Sequence, residues 1–359
     1  MRQEDFFRIG EYTDNFAKVR KTQSLPIITS SIEKPVISFV IPTCNRPDTL
    51  KEAIDSILVQ KDTIIQFEVI VVDNSGDHSE QNLTHRLLKQ YSDPHISYYQ
   101  NEINIGLEGN FNRAIELSRG EWVSFLDDDD LISDDYLEKI KKLLEKYDSF
   151  SDIGYIKTEN LTFTNINELP IKAEVYKKQS AMAKKLWVKM HEIKKIDSLI
   201  LGYSPTCIPT CGTLMRKKAM MDIGGFNSDY YPSFDAYPGY QMLGKYKVYM
   251  TYEPLGYYRW SINVSLKKET MIGFLQANYY FREFLYSQNI FNYLYGKVFG
   301  DAYYSKNVDD WRNKAELHKV QIVKQDFEQI HVYKDCKVRK KIIVFIQRVY
   351  NKMSKMLSK

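Results

Sequence analysis

Residues 36–47 read Val-Ile-Ser-Phe-Val-Ile-Pro-Thr-Cys-Asn-Arg-Pro, and this stretch decides the fold class. Its first six residues form a short apolar run rich in β-branched side chains, which predicts a buried strand that stops at Pro42. Apolar residues then recur at helical spacing over 50–58, directly after Pro47, a helix-start residue. The stretch therefore predicts a strand, a polar turn and a helix in immediate succession.

The same alternation continues along the chain as far as residue 147. The apolar patterns predict further strands and helices over 67–72 (strand), 81–91 (helix), 96–99 (strand), 106–118 (loop into helix), 121–126 (strand) and 137–147 (helix, with Ser133 as N-cap). Such alternation is typical of βαβ units in an α/β fold with a mainly parallel sheet covered on both faces. Because ligands bind at the carboxyl ends of strands in such sheets, the polar clusters after Ile41, Val72 and Leu126 are expected to converge.

Composition and charge exclude several classes of protein. The 359 residues are 43% apolar and 27% charged, as in ordinary globular chains. No apolar run approaches the ~20 residues of a membrane-spanning helix. Four scattered cysteines and the absence of a basic-then-apolar leader predict a reduced, cytoplasmic chain. Residues 336–359 contain eight Lys/Arg and no acid, so the net charge of +4 hides a mildly acidic body, which argues against nucleic-acid binding.

The strongest local signal is the run of four aspartates, Asp127–Asp130, that follows a predicted strand. Adjacent carboxylates repel one another, and a hard cation with oxygen ligands, Mg²⁺ or Mn²⁺, would relieve that repulsion. A solvated acidic loop that feeds the next helix explains the run equally well. The residues alone leave both interpretations open.

Two other polar segments carry weaker signals. Asp73 directly follows the second strand, where a carboxylate can accept hydrogen bonds from a base or ribose, or can shape an Asp-Asn-Ser-Gly turn. Arg46 follows the first strand and is either a phosphate contact or a surface arginine.

Several familiar sites are missing from the sequence: it has no G-x-G-x-x-G after a strand, no P-loop and no G-x-S-x-G elbow. Cys207 and Cys211 lack the further ligands of a zinc site, which favours packed thiols.

Taken together, the segments resemble a family 2 glycosyltransferase with the GT-A fold, of the bacterial surface-polysaccharide type. The order and spacing of the motifs match those of the family, and so do the residue types within each motif. The motifs that carry the resemblance are residues 36–46, Val69–Ser75, Asn104-Ile105-Gly106, Phe125–Asp130, Gly224-Gly225-Phe226-Asn227, Phe234-Asp235 and Tyr257-Tyr258-Arg259. The resemblance covers roughly residues 36–265.

The resemblance implies a role for each matched position. It implies a metal-dependent, inverting transfer of a sugar from a nucleoside-diphosphate sugar, with a UDP-sugar as the expected donor, to a hydroxyl of a glycan or lipid-linked acceptor. The implied positions are Pro42, Thr43, Arg46, Asp73, Asn104, Gly106, Asp127 and Asp128 for the donor, Asp127 and Asp129 for Mn²⁺ or Mg²⁺, Asp235 as the general base, and Gly212, Thr213 and Arg259 on the acceptor side.

The sequence departs from the family pattern at two positions. The usual Glu-Asp pair is Phe234-Asp235 here, which leaves Asp235 as the sole candidate base in that segment. Many family members also have a histidine two residues after the arginine, and this chain has Ser261 there. The second departure removes one candidate ligand for a metal or phosphate.

The chain divides into four predicted segments: an N-terminal peripheral arm (1–35), the glycosyltransferase domain (36–265), an aromatic-rich helical region (266–335) and a basic tail (336–359). The tail carries Val338, Ile342, Phe345, Ile346 and Val349 at helical intervals. This pattern favours an interfacial helix at an anionic membrane, on the inner face of the cell membrane, and a helix packed on its own domain is the alternative. Membrane attachment suits a lipid-linked acceptor in cell-surface polysaccharide or glycoconjugate synthesis.

Two other functions remain as alternatives. A sugar nucleotidyltransferase shares the nucleotide-binding fold, but that class needs a glycine-rich loop after the first strand, and residues 42–47 contain no glycine. A non-catalytic glycan- or membrane-binding protein could keep the fold without the chemistry. The intact Asp127, Asp129 and Asp235 argue against it.

Overall fold

A computed structural model describes residues 8–60, 65–147, 152–163, 193–196, 210–259, 267–317 and 319–345. These residues form, in chain order, α1 (Phe16–Val19), β1 (Ser24–Ile28), β2 (Ile37–Thr43), α2 (Pro47–Leu58), β3 (Phe67–Asp73), α3 (Leu83–Leu88), β4 (Ile96–Asn101), α4 (Leu107–Leu117), β5 (Trp122–Phe125), β6 (Leu131–Ile132), α5 (Tyr136–Tyr147), β7 (Ile153–Phe163), β8 (Ile193–Ile196), β9 (Leu214–Arg216), α6 (Lys217–Asp222), a 3₁₀ turn (Ser228–Tyr230), α7 (Tyr237–Gln241), β10 (Lys247–Arg259), α8 (Lys268–Ser287), α9 (Ile290–Leu317), α10 (Lys324–Glu328) and α11 (337–345).

One mixed sheet carries the fold. Its strands lie in the order β1-β4-β3-β2-β5-β9-β7-β10-β6, and β8 pairs with β10. The four neighbours β4, β3, β2 and β5 are parallel, which confirms the mainly parallel arrangement expected for this half of the chain. Strand β9 runs antiparallel to both β5 and β7, and it joins the parallel half to β7 and β10.

Helices cover both faces of the sheet, as the buried strands require. Alternate residues of β2 enter different cores: Phe39 and Ile41 pack in one apolar cluster, and Val40 packs in the other. Helices α2 and α5 supply the first cluster, whereas α4 supplies the second with Phe111 and Ile115. Because both faces of β2 are buried, its sequence is continuously apolar instead of alternating.

Several element boundaries differ from the sequence-based prediction. Strand β2 continues through Pro42 to Thr43, because proline tolerates extended backbone at a strand end. Strand β10 (Lys247–Arg259) lies in a part of the chain beyond the alternating pattern, which ends at residue 147. Helix α5 begins at Tyr136, so Ser133 is not its N-cap; the Ser133 hydroxyl instead donates a 2.9 Å hydrogen bond to Asp135.

The N-terminal segment is more firmly attached than the predicted peripheral arm. Strand β1 extends the sheet antiparallel to β4, and Ile9 and Phe16 are buried in the second core cluster. The Asn15 side chain donates a 3.0 Å hydrogen bond to the carbonyl of Gly224. A Cβ on Gly224 would lie 1.9 Å from the Thr13 carbonyl oxygen, so this glycine permits the arm to pack here. Only a few apolar residues, widely spaced, anchor the segment, so its packing leaves little signal in the sequence.

The helical region after residue 266 has the aromatic core that its sequence predicted. Helices α8 and α9 pack together and bury Phe281, Phe284 and Tyr303. Among the described residues, no helix combines the length and the apolar character that crossing a bilayer requires.

Candidate active site

The polar segments converge at the carboxyl edge of the parallel strands, as predicted. Thr43 lies opposite Asp73 in the register of β2 and β3. The loop after β5 begins beside them, because the amide of Leu126 donates a 3.1 Å hydrogen bond to the carbonyl of Val40. Three strand ends separated in sequence therefore form one site.

An arginine and a threonine hold the acidic loop. The Thr43 hydroxyl donates a 2.7 Å hydrogen bond to one oxygen of Asp128. Arg46 donates to the other Asp128 oxygen at 2.7 Å and also contacts Asp129. The guanidinium thus bridges two adjacent carboxylates and offsets part of their charge. Burial raises the pKa of Asp128 to about 6, while Arg46 and the hydrogen bond from Thr43 act in the opposite direction.

The same loop brings together carboxylates that are more than a hundred residues apart in sequence. Burial first, and then the charges of Asp129, Asp128 and Asp235, raise the pKa of Asp127 to about 8. Asp235 therefore lies close enough to Asp127 for the two charges to interact. The structure unites the predicted metal ligands and the predicted base in one cluster of acids.

Asp235 is positioned by the aromatic core beneath it. The preceding residue, Phe234, makes edge contacts with Phe111 and Phe226 at centroid distances of 5.3 and 5.7 Å. Phe234, which stands where the family pair has its first acid, is buried in this core. The Asp235 carboxylate accepts a 2.9 Å hydrogen bond from the amide of Ala236, and burial raises the pKa of Asp235 to about 7.

The donor chemistry of this cluster suits a hard divalent cation. Asp127, Asp129 and Asp235 supply three carboxyl groups, with Arg46 acting on Asp127 and Lys157 acting on Asp235, and carboxylate oxygens are the ligands that Mg²⁺ and Mn²⁺ prefer. Within the described ranges, no three acidic, histidine or cysteine side chains already converge on a single point.

Asp73 lies at the predicted edge but is engaged by its own protein. One oxygen accepts a 2.9 Å hydrogen bond from the amide of Ser75, and the other accepts from Asn82 and Tyr98 at 2.9 and 3.2 Å. Asp73 is almost fully buried, and it shapes the loop after β3. Its contact with a base or ribose stays a prediction.

Asn104 and Gly106 lie next to this loop, as expected. The Asn74 side chain donates to Asn104 Oδ1 at 3.1 Å and to the Gly106 carbonyl at 3.0 Å. Gly106 precedes α4 with a φ of 80°, a conformation that favours glycine, and a Cβ there would meet open space. Open space in front of this turn leaves room for a ligand.

The three residues predicted on the acceptor side, Gly212, Thr213 and Arg259, pack behind the acidic loop, and their contact with an acceptor stays a prediction. Thr213 is completely buried. The Gly212 amide donates to the Phe125 carbonyl at 2.8 Å, which packs this turn under the acidic loop. Arg259 donates from Nε to the Asp129 carbonyl at 2.7 Å, and it forms an ion pair with Glu52. These residues brace the acidic loop from behind.

Two residues of this brace were missed in the sequence. Glu52 is an ordinary helix-surface acid by its position on α2, and only the end of β10 brings Arg259 to it. Asp130 is fully buried and accepts a 2.8 Å hydrogen bond from the Arg259 amide. Burial raises the pKa of Asp130 well above its usual range. The four aspartates thus divide into three that face the site and one that anchors the loop.

Comparison with known proteins gives the context for this geometry. A curated relative from Campylobacter jejuni, a GalNAc(5)-diNAcBac-PP-undecaprenol beta-1,3-glucosyltransferase, is 36% identical over 97 residues, which are 27% of this chain and 30% of the relative. The chain spans less than half the length of most curated relatives that it matches, between 30 and 47% for seven of them.

Two solved structures share the architecture. S. aureus TarS 1-349 in complex with UDP-GlcNAc superposes with a TM-score of 0.52 at 16% identity, covering 82% of this chain and 78% of that one. A mannosyltransferase from Pyrobaculum calidifontis, in complex with GDP-Man and Mn²⁺, gives a TM-score of 0.51 at 12% identity over 99 and 94% of the two chains. These likenesses confirm the expected GT-A fold.

The sequence match that decides the family runs through the site. It begins in β2, passes through the acidic loop and ends at Gly224, so it covers the three strand ends that meet at the carboxyl edge. Residues 38–224, just over half of the chain, match the family described as Glycosyl transferase family 2, and the chain belongs to that family.

Proposed function

We propose that this protein is a metal-dependent, inverting glycosyltransferase. It moves a sugar from a nucleoside-diphosphate sugar, with UDP as the expected nucleotide, to a hydroxyl of a glycan or lipid-linked acceptor in cell-surface polysaccharide or glycoconjugate synthesis. The observation that carries the proposal is the meeting of Asp127, Asp129 and Asp235 with Arg46 at the carboxyl edge of the sheet.

Each of these side chains has a distinct chemical task in the proposal. Asp235 takes the proton from the acceptor hydroxyl as that oxygen attacks the sugar, because a carboxylate with a pKa near the working pH is an effective base. Attack from the face opposite the leaving diphosphate inverts the sugar carbon, and no enzyme-bound sugar intermediate is needed. Arg46 and Thr43 hold Asp128 beside the donor pocket, where Asp128 contacts the sugar or ribose.

Asp127 and Asp129 are the proposed metal ligands. A bound Mn²⁺ or Mg²⁺ supplies Lewis-acid stabilisation to the negative charge that develops on the diphosphate. The brace formed by Arg259 and Glu52 fixes the backbone of Asp129, so the carboxylate is held in place before the donor arrives. The Mn²⁺ in the Pyrobaculum complex supports a divalent cation as the cofactor.

The relatives support the donor and acceptor classes. TarS was solved with UDP-GlcNAc, and the Campylobacter relative is named for a glycan carried on undecaprenol diphosphate. A lipid-linked acceptor agrees with a peripheral position at the membrane through the basic residues 336–359. Of this tail, residues 337–345 form α11, and residues 346–359 lie outside the described ranges.

Ligand-induced stabilisation tests the proposed function. We expect one nucleoside-diphosphate sugar in a panel of UDP-, GDP-, CMP- and dTDP-sugars to raise the melting temperature in the presence of Mn²⁺, because binding only to the native state stabilises it. A donor at about 100 times its Kd adds about 2.7 kcal/mol to the free energy of unfolding. The same donor should be hydrolysed slowly in a cation-dependent manner. A panel without any stabilising donor contradicts the proposal.

The pKa of Asp235 predicts the acid limb of the pH profile. With the pKa raised to about 7, the carboxyl is protonated and inactive as a base below that pH, and it becomes competent as the pH rises through 7. A bound cation lowers the pKa of carboxyls near it, so we expect the acid limb of kcat/KM at saturating Mn²⁺ to lie at or below pH 7, with a roughly tenfold fall per pH unit below its midpoint. The limb should be absent from the residual activity of Asp235→Asn. An unchanged limb in that variant would exclude Asp235 as its source.

A further inference from the structure

The first half of α9 presents apolar side chains to solvent. Phe291, Ile290, Leu294 and Val298 are 79, 62, 55 and 49% exposed. Positions 290, 294 and 298 follow at intervals of four residues, and residue 291 adjoins them, so the side chains lie on one side of the helix. We call these four residues the α9 face. Exposed apolar patches of this kind mark interaction surfaces on soluble proteins.

An adjoining side of the same helix is packed. Tyr295 and Phe299 pack in a cluster with Ala302 and Tyr303, and Ile343 of α11 completes that cluster. The exposure of the α9 face is therefore not the result of a detached helix. The cluster that contains Ile343 also places α11 next to α9. This contact is close to the α9 face, because Ala302 lies one turn after Val298, the last residue of that face.

Helix α11 carries a second exposed stripe. Val338, Ile342 and Phe345 are 72, 40 and 65% exposed, and their spacing of four and three residues puts them on one side of the helix. We call these three residues the α11 face. Lys340 and Ile343, on other sides of the helix, contact Asp309 and the α9 cluster. Both faces thus belong to helices that are docked on each other and remain open on another side.

The exposed charge beside the α11 face is positive. Lys337, Arg339 and Lys341 are exposed on α11. Lys297 is the one ionised side chain among residues 290–300, and the flanking acids Asp301 and Asp335 form ion pairs with Lys334 and Lys337. Apolar side chains combined with basic ones match the headgroup region of an anionic bilayer. A second copy of the chain fits less well, because a two-fold contact would bring two basic surfaces together.

We propose that the α9 face and the α11 face insert together into the interfacial region of an anionic membrane. The inference rests on the membrane association within the proposed function, and it adds a docking site, the α9 face, that lies outside the basic tail. Apolar contact from α9 and electrostatic attraction from residues 336–359 act on the same bilayer, as two signals that hold a protein at a membrane more firmly than either one.

Vesicle binding by the full chain tests the inference. Vesicles of 70% phosphatidylcholine and 30% phosphatidylglycerol should bind the wild type, and vesicles of phosphatidylcholine alone should bind it more weakly. We expect the double variant Phe291→Ser/Leu294→Ser to lose binding to the anionic vesicles by a factor of at least about ten, because its apolar side chains no longer insert. The matched control is Leu83→Ser, which removes an exposed leucine, 57% exposed, from α3.

Further measurements keep the outcomes distinct. If the α9 double variant binds vesicles like the wild type while deletion of residues 346–359 abolishes binding, the α9 face is not a membrane site, although the tail still is. If the double variant turns a wild-type dimer into a monomer in light scattering without changing vesicle binding, the face is a self-association surface and the inference is overturned. Should the double variant misfold by circular dichroism, Val338→Ser/Phe345→Ser tests the α11 face by the same vesicle assay. Donor-induced stabilisation, measured without vesicles, reports on sugar transfer separately.

Discussion

Replacing Asp129 by asparagine should abolish sugar transfer and weaken donor binding in the presence of Mn²⁺. The substitution keeps the shape of the side chain and removes the charge that would hold the cation. The backbone of residue 129 stays braced by Arg259, so the loop itself is expected to persist. We expect kcat/KM to fall by at least about a thousandfold, since the stabilisation of a developing charge by a metal contributes several kcal/mol. Isothermal titration calorimetry should show that the variant binds Mn²⁺ more weakly, in a measurement that involves no turnover.

Asp134→Asn is the matched control for this substitution. Asp134 lies five residues further along, at the exposed start of the next helical segment, and it undergoes the same chemical change. Its variant should retain Mn²⁺ affinity and transfer within about threefold of the wild type, as surface substitutions usually do. Wild-type activity in Asp129→Asn would remove Asp129 from the metal site. Equal losses in both variants would point to the overall charge of the loop instead of a specific ligand.

The parallel half of the fold was predictable because its signals are local. Strands β2, β3 and β5 are short apolar runs. A helix is the next element after β2 and β3, and it comes after the two-residue strand β6 in the case of β5, so element type and direction follow from neighbouring residues. The other half depends on distant pairings. Strand β9 has three residues, and it inserts between β5 and β7 by contacts that no local pattern announces.

The candidate site divides in the same way. The acidic run and Arg46 are visible as a motif next to a strand. Asp235 follows a phenylalanine in a segment whose composition gives no signal for a site, and only the resemblance to the family singled it out. The contact between Arg259 and Glu52 was not visible, because Glu52 looks like a solvated residue on a helix surface until β10 brings Arg259 to it. The burial of Thr213 was not visible either, since burial is a property of the whole fold.

The contacts between Arg46 and the acidic loop also explain why a guanidinium group lies among carboxylates in this pocket. Arg46 contacts both Asp128 and Asp129, so the loop is partly neutralised before a ligand arrives. Without such a partner, three adjacent carboxylates at a partly buried strand end would favour protonation or distortion of the loop. The arginine therefore offsets part of the repulsion in the loop that the proposed cation would relieve further.

Replacing Asp235 by asparagine should separate donor binding from turnover. The amide is nearly isosteric with the carboxylate but cannot accept the proton of the acceptor hydroxyl. We expect kcat to fall by about 10²–10⁴-fold, the usual contribution of a general base. The Kd of the donor, measured by titration calorimetry with Mn²⁺, should stay close to the wild-type value. The acid limb of the pH profile should also disappear, which a purely structural defect would not cause.

Asp229→Asn is the matched control for the base. Asp229 lies in the exposed 3₁₀ turn just before the Phe234-Asp235 segment, so its variant undergoes the same charge loss near the site without touching the cluster. Its rate and pH profile should match those of the wild type. A near-normal kcat in Asp235→Asn would move the base to another residue. A loss of donor affinity as large as the loss of kcat would instead assign Asp235 to the donor site, because a residue that acts only on the acceptor proton contributes to the transition state and not to donor binding.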